Sequence, residues 1–269
     1  IQQPLQIITI IEVRITFLGT GTSQGVPIIG CDCAVCRSKD PRNHRLRTSA
    51  LIQSGGKNIV IDCGPDFRQQ MLRNDIRQVD AILLTHEHND HVIGLDDVRP
   101  FNFQSQRDMP IYATPGVAAE VEQRFAYAFS EIRYPGAPSL RFFEIDKDHP
   151  FEVDGVPIRP VEVMHGNLPV LGFRIGDFTY LTDIKSISDY ELEKVRGTKV
   201  LALGVLHHTP HYSHLCVEEA LEVIQKIKPE QTWFIHISHH MGLYEEVTSQ
   251  LPDGIDLAYD GLKVTVPAG

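Results

Sequence analysis

Short runs of β-branched and aromatic residues, each closed by polar or glycine-containing turns, recur along the chain. They predict strands over 12–19, 49–55, 57–64, 80–85, 110–114, 156–165, 171–183, 199–206 and 231–238. Between them, apolar positions at helical spacing predict helices over 66–75, 117–129, 188–197 and 214–229. Gly197 and Pro229 stand where the last two should stop, because neither residue type extends a helix. Some strands follow one another through short glycine turns, as in RIGDF, and others through helices, so the class is a mixed, layered α/β domain. No internal repeat, low-complexity tract or Pro/Ser linker interrupts the pattern, and one domain over 1–269 is expected. The opening IQQPLQIITIIEVRITF lacks the basic segment and small-residue cleavage site of a signal peptide. It reads as an N-terminal strand with a frayed lead-in, and a cytoplasmic location is expected.

Composition changes this picture little. Apolar residues make up 42% and charged residues 22% of the 269, as in ordinary globular proteins, and no stretch approaches the roughly 20 apolar residues of a membrane span. The formal net charge of −10 opposes contact with nucleic acid or anionic lipid and leaves small or metal-bound substrates as the better fit. Five cysteines is an odd number for a disulfide framework, and GCDCAVC puts three of them, Cys31, Cys33 and Cys36, within six positions. Reduced thiols so close together are metal ligands more often than a disulfide set. Cys63 and Cys216 are expected to be small buried residues.

LLTHEHNDH ends an apolar strand abruptly in His86, His88, Asp90 and His91. Side chains two apart on an extended chain share a face, so His86 and His88 suit one cation. A following helical turn would present Asp90 and His91 to a second. A lone histidine at a strand end is usually a solvated residue. Four potential ligands in six residues are not so easily dismissed, because desolvating them without a cation is costly. More candidates end other apolar strands: His165 after VEVM, Asp183 after FTYLT and His236 after WFI. A carboxylate offers two oxygens, so Asp183 can bridge a pair of cations. Imidazole and carboxylate ligands suit Zn²⁺ and Mn²⁺ alike.

The series His86-x-His88-x-Asp90-His91, followed by His165, Asp183 and His236, resembles the metallo-β-lactamase superfamily in motif, order and spacing. The resemblance implies an αβ/βα sandwich, with two mixed central sheets, helices on the outer faces and a dinuclear site at one edge. IDCG at 61–64 is similar to an early motif of that superfamily, which implies that Asp62 orients ligands without binding metal. LGTGTSQGVPIIGCDCAVC at 18–36 resembles the PhnP-like phosphodiesterase branch, over a likeness running from Phe17 to Gly261. That branch implies a structural zinc on Cys31, Cys33, Cys36 and a histidine three residues after His236, which is His239. A Cys3His set is a closed tetrahedral shell, in keeping with such a role. From the residues alone His240 serves equally well.

The resemblance further implies a metal-dependent phosphodiesterase acting on a small phosphodiester, cyclic ribose phosphates included, with two catalytic divalent cations and one structural zinc. The nucleophile is a solvent molecule activated between the cations, and Asp90 counts among the catalytic residues as well as the ligands. His214, before the last predicted helix, matches the family's general acid; a surface or helix-cap role is its plainer alternative. His207, His208 and His211 carry no assigned role. Arg42, Arg45 and Arg47 could hold phosphate, but a solvated loop beside the zinc is the simpler expectation. Neither nucleic acid nor membrane is expected as a partner, and a homodimer stays open. The rival readings are a tRNA 3′-processing endonuclease, against which the charge speaks, and a non-catalytic accessory protein like the pyrroloquinoline-quinone biosynthesis member. Completeness of the seven ligands favours an enzyme over the second.

Overall fold

The computed structural model describes residues 12–130, 132 and 134–266. Its strands are β1 Val13–Gly19, β2 Ser49–Ser54, β3 Lys57–Ile61, β4 Ala81–Leu83, β5 Met109–Ala113, β6 Leu140–Glu144, β7 Phe151–Val153, β8 Val156–His165, β9 Leu168–Ile175, β10 Phe178–Leu181, β11 Val200–His207, β12 Leu215–Cys216, β13 Gln231–Ile235, β14 Ile255–Leu257 and β15 Lys263–Val266. The helices are α1 Phe67–Arg73, α2 Asn89–Val92, α3 Arg99–Ser105, α4 Pro115–Arg124, α5 Ala126–Phe129, α6 Asp189–Val195, α7 Val217–Ile227 and α8 Tyr244–Thr248.

Two sheets form. One runs β15-β1-β2-β3-β4-β5-β6 and the other β14-β13-β11-β10-β9-β8-β7, with β12 paired to β11. Both are mixed: β1, β2 and β3 pair antiparallel and β3 to β6 parallel, while β7 to β10 pair antiparallel and β10, β11, β13 and β14 parallel. Phe17, Ile52 and Ile61 of the first sheet share one core with Ile158, Phe173 and Tyr180 of the second, so the sheets face each other. Successive side chains on a strand point to opposite faces, and Leu51 and Val60 therefore meet Phe67 of α1 and Val121 of α4 on the other side. Leu201, Leu203 and Phe234 likewise meet Val223 and Ile227 of α7. Strands buried on both faces explain why so many apolar runs are continuous rather than alternating. The result is the αβ/βα sandwich with outer helices.

The differences from the sequence expectation have local causes. The 171–183 run is two strands, β9 and β10, turning at Gly176 with φ +58°. The 117–129 helix breaks at Phe125 into α4 and α5. Leu215 and Cys216 pair with β11 before α7 begins. The unpredicted strands β6, β7, β14 and β15 lie at sheet edges and are short, and half-exposed β6 and β15 leave little pattern to read. Of the expected N-terminal strand, β1 begins at Val13; the lead-in over residues 1–11 lies outside the described residues. Among the described residues no helix is long and apolar enough to cross a membrane.

The arginine segment is a correction. Arg45 is 4% exposed, and its Nη1 donates to the Thr20 hydroxyl at 2.8 Å and the Ala258 carbonyl at 2.5 Å. Arg42 grips Asp40 and Glu245, each at 2.7 Å, and Arg47 pairs with Asp66 at 3.2 Å. Arg45 is thus buried rather than solvated, while Arg42 and Arg47 keep about a third of their side-chain surface in water and hold the loop through ion pairs.

Candidate metal centre

Strands from both sheets deliver polar residues to one edge of the sandwich. Asp62 follows β3, His86 lies just beyond β4, His165 ends β8, Asp183 lies just beyond β10 and His236 follows β13. Asp62, Asp183 and His236 have φ of 63°, 49° and 56°. Left-handed backbone at a residue other than glycine is uncommon and costs of order 1–3 kcal/mol, so each marks a strand end turned sharply to aim its side chain.

The segment 86–91 leaves β4 and enters α2, with His88 as the cap. It is clamped from behind. A Cβ on Gly64 would lie 2.0 Å from the Asp90 carbonyl oxygen, and one on Gly94 would lie 2.0 Å from that of Gly64, so only hydrogen fits at either position. The Arg124 guanidinium of α4 donates to the carbonyl of Glu87, between His86 and His88.

The donor atoms converge on Asp183. Its Oδ2 lies 3.3 Å from His91 Nε2, while its Oδ1 lies 3.2 Å from His236 Nε2, 4.0 Å from His165 Nε2 and 3.9 Å from His214 Nδ1. Asp90 Oδ2 lies 3.2 Å from His91 Nε2 and 3.7 Å from His236 Nε2. Three overlapping sets have their ligand atoms within 4.8 Å of one another: His86, His91 and Asp183; Asp90, His91 and His236; His165, Asp183 and His214. His88 is at the exposed edge, its ring 4.5 Å from His86 and 5.3 Å from His165.

Outer hydrogen bonds set which nitrogen faces the centre. His91 Nδ1 donates to Asp62 Oδ2 at 2.7 Å and His165 Nδ1 donates to the Ser213 carbonyl at 2.8 Å, leaving each Nε2 turned inward. Asp62 also accepts from the Thr85 amide and hydroxyl. With the Thr85 proton given to Asp62, Thr85 Oγ1 accepts from His86 Nδ1 at 2.9 Å, and His86 Nε2 carries a free lone pair. That nitrogen, His91 Nε2 and both ring nitrogens of His236 are buried without a hydrogen-bond partner. Orphaned imidazole nitrogens beside two carboxylates are what a divalent cation satisfies, and the residues present fit such ions.

The electrostatics agree. Burial pushes the Asp183 and Asp90 carboxyls up, yet the surrounding imidazoles, His236 and His91, hold both well below the usual carboxylate range. Burial drives His86 well below the ordinary imidazole range. His91 is also pressed down by burial, but Asp183, Asp62 and Asp90 carry it well above. Three carboxylates around one buried imidazole mark a site that attracts positive charge. His214, 9% exposed, has its ring 4.5 Å from His165 and 4.8 Å from His236; burial and then the neighbouring His236 lower it to about 3. The surface and helix-cap alternatives for His214 do not describe that position.

A second cluster lies apart. His239 Nδ1 is 3.3 Å from Cys31 Sγ and 3.5 Å from both Cys33 Sγ and Cys36 Sγ. Zinc bond lengths of about 2.3 Å to sulfur and 2.0 Å to nitrogen put a tetrahedral edge near ~3.5 Å, so these spacings fit one Zn²⁺. His240 stands outside the set with its ring against that of His239 at 4.0 Å. The backbone amide of Cys36 donating to its sulfur lowers Cys33 to about 6, and burial raises Cys36 to about 11. Cys63 and Cys216 are buried as expected.

Three residues of the centre escape sequence reasoning: Thr85, Arg124 and the backbone of Ser213. Thr85 directly precedes His86 and its adjacency was the available signal; Arg124 and Ser213 act across 37 and 48 residues of chain and leave none.

A model of the β-lactamase superfamily domain matches residues 57–237. A solved structure described as a new diphosphatase from the PhnP family superposes with a TM-score of 0.89 and 41% identity, covering 96% of this chain and 98% of that one. An octanoyltransferase of Porphyromonas gingivalis is 43% identical over 255 residues, 94% of this chain and 51% of that protein. A ribonuclease Z of Bradyrhizobium diazoefficiens is 32% identical over 165 residues, 59% of this chain and 48% of that protein. The chain spans about half the length of these curated relatives. With its αβ/βα sandwich, the histidine and aspartate cluster at the sandwich edge and these matches, the chain belongs to the metallo-β-lactamase superfamily and, within it, to the PhnP family.

Proposed function

We propose that the chain is a metal-dependent phosphodiesterase acting on a small phosphodiester. The observation that carries this reading is the convergence of orphaned nitrogens of His86, His91 and His236 on Asp90 and Asp183 at the edge of the sandwich. His86, His88 and His165 would hold one divalent cation, and Asp90, His91 and His236 a second, with Asp183 within reach of both sets. Such cations, when bound, make water a nucleophile at neutral pH and neutralise charge on phosphoryl oxygens.

The chain's own residues do the rest. Asp62 and Thr85 fix the rings of His91 and His86. His214 would protonate the departing alkoxide: burial among imidazoles lowers its pKa, and an anionic phosphodiester arriving beside it would favour the imidazolium. The cysteine cluster would hold structural zinc and tie the 31–36 loop to the segment after β13. The net charge of −10 supports a small substrate over tRNA. For the P. gingivalis relative, half the protein lies outside the match, so its octanoyl transfer is not carried over.

The test is turnover of bis(p-nitrophenyl) phosphate with added Mn²⁺ or Zn²⁺. Asp183→Ala should cut it by roughly a thousandfold or more, several kcal/mol of lost charge stabilisation. His214→Ala should spare this ester, whose leaving group needs no proton, and slow alkyl phosphodiesters by about 10²–10⁴. Equal turnover by the Asp183 variant would remove the proposed site, and a uniform loss in the His214 variant would remove its acid role.

A further inference from the structure

Of the histidines that neither ligand cluster uses, His207 and His240 stand together. Their rings lie 6.1 Å apart at 79°. Rings that would share a catalytic cation are spaced alike: His86 and His165 at 5.9 Å, His91 and His236 at 5.9 Å, His88 and His165 at 5.3 Å. The backbone on both sides of the pair is stapled, so the two rings are not loose side chains that happen to meet. Leu206, before His207, accepts from the Ser238 amide at 3.0 Å, and His208, after it, donates through Nε2 to the carbonyl of Met241, the residue after His240, at 2.9 Å. The Ser238 hydroxyl in turn accepts from the His240 amide at 3.2 Å and fixes the 3₁₀ turn that presents the second ring.

The nitrogens of this pair suit a metal. With Nδ1 donating to the Thr209 hydroxyl at 3.1 Å, His207 keeps a lone pair on Nε2. Burial holds His207 below the ordinary imidazole range, the Thr209 contact opposing, so near neutral pH the ring is uncharged. Among the described residues the exposed His240 ring makes no hydrogen bond, and it can turn either nitrogen toward its neighbour. Imidazoles without a carboxylate suit Zn²⁺, Ni²⁺ or Cu²⁺ better than Mn²⁺, and two protein ligands with water in the other positions hold a cation that exchanges readily. The pair also opens onto the metal centre. His211 lies 6.1 Å from His207 and 5.2 Å from His214, whose ring is 4.8 Å from His236 and 4.5 Å from His165. Imidazoles therefore run unbroken from the exposed His240 to the ligands.

We propose that His207 and His240 form an exchangeable site for a zinc-class divalent cation, and that cations pass from it along His211 into the catalytic centre. This rests on the metal-dependent reading of that centre and adds where its ions enter, at a station whose own occupancy can be measured apart from theirs.

Equilibrium dialysis of the zinc-replete protein against rising Zn²⁺ should show one cation per chain beyond the tightly held ions, and none with Mn²⁺. Its affinity should fall by about tenfold or more in His207→Gln and in His240→Gln, while Asp183→Ala keeps it. Reloading of chelator-stripped protein with Zn²⁺, sampled over time by gel filtration and metal analysis, should be roughly tenfold slower in His207→Gln and reach the wild-type content, because capture nearby makes the second binding step intramolecular. An equal final content also guards against a folding defect. No additional zinc in the wild type, or additional zinc untouched by both glutamine variants, would overturn the site; loading at the wild-type rate in His207→Gln would overturn the route. Should the exchangeable zinc bind while the tightly held pair is missing, the site stands and the reading of the catalytic centre fails; a tightly held pair with no exchangeable zinc means the reverse.

Discussion

The two ligand clusters of this molecule are built on opposite plans. In the histidine and aspartate centre, rings are aimed by a buried outer layer: Asp62 is wholly buried, accepts three hydrogen bonds from Thr85 and His91, and is itself held in a left-handed backbone. Among the described residues the Cys3His cluster has no buried carboxylate behind its ligands. Its donors come from one loop and one residue beyond β13, Cys31 and Cys33 are half-buried, and what supports the sulfurs is backbone of that same loop, the Cys36 amide on Cys33 and the Ile28 amide on Cys36. An open centre that must keep room for substrate needs ligands oriented from outside, whereas a closed tetrahedral shell orients itself. The left-handed Asp183 and His236, the glycine clamp at Gly64 and the orphaned nitrogens are all found at the open centre.

The contrast breaks first at Asp62. Asp62→Ala leaves His91 Nδ1 and the Thr85 hydroxyl without their acceptor in a site closed to water, and the imidazoles of His91 and His86 lose their fixed tautomer. Affinity for the catalytic cations should fall by roughly 10–100-fold, as is typical when the partner of a ligating histidine is removed. Zinc on the cysteines should be unchanged. Metal analysis after dialysis checks both at once. Loss of metal from both clusters would mean that Asp62 serves the fold generally and that the two plans are not separate.

Cys33→Ser probes the other side. One zinc per chain should be lost, the catalytic pair kept, and Tm lowered by roughly 5–10 °C, which is about 3 kcal/mol for a domain near this size. The effect is on stability because the loop has little core of its own: Val26, Val35 and Cys36 are its buried residues, packed against Ile28 and Leu243. Unchanged zinc stoichiometry on metal analysis would take the cysteines out of any metal site.

How much of this was legible in the sequence follows the same division. The strand-end histidines and aspartates announced themselves because polar residues interrupt apolar runs that both sheets bury, and the cysteines because three stand together in a chain holding five. The choice between His239 and His240 was not legible: adjacent residues differ only in the direction their side chains leave a short 3₁₀ turn, which local backbone sets. Arg45 misled because an arginine in a polar stretch reads as solvated, while its burial depends on partners at Thr20 and Ala258, far off in sequence. The edge strands β6, β7, β14 and β15 were missed because a short strand carries too few positions to show a period.

The smallest effect sharpens how the cysteine loop is seated. Asp260, 6% exposed, accepts from the Thr20 hydroxyl at 2.8 Å and the Leu46 amide at 2.7 Å, beside Arg73 at 3.6 Å and the buried Arg45, so it ties down both ends of the segment carrying Cys31–Cys36. Burial raises its carboxyl from 3.8 to about 6, the amide, hydroxyl and arginine contacts opposing but not cancelling that rise. Between those values the folded chain holds a proton that the unfolded chain has released. The group's contribution to stability is therefore complete below about pH 4 and is lost as pH rises through about 6. Asp260→Asn cannot ionise and should gain stability relative to the wild type by roughly 2 kcal/mol between pH 4.5 and 7, since each tenfold change in proton affinity is worth ~1.4 kcal/mol. Urea unfolding of both proteins across that range checks it. Parallel curves would show that Asp260 stays ionised in the fold, paired with Arg45, and that the loop is seated on an ion pair rather than on a neutral carboxyl.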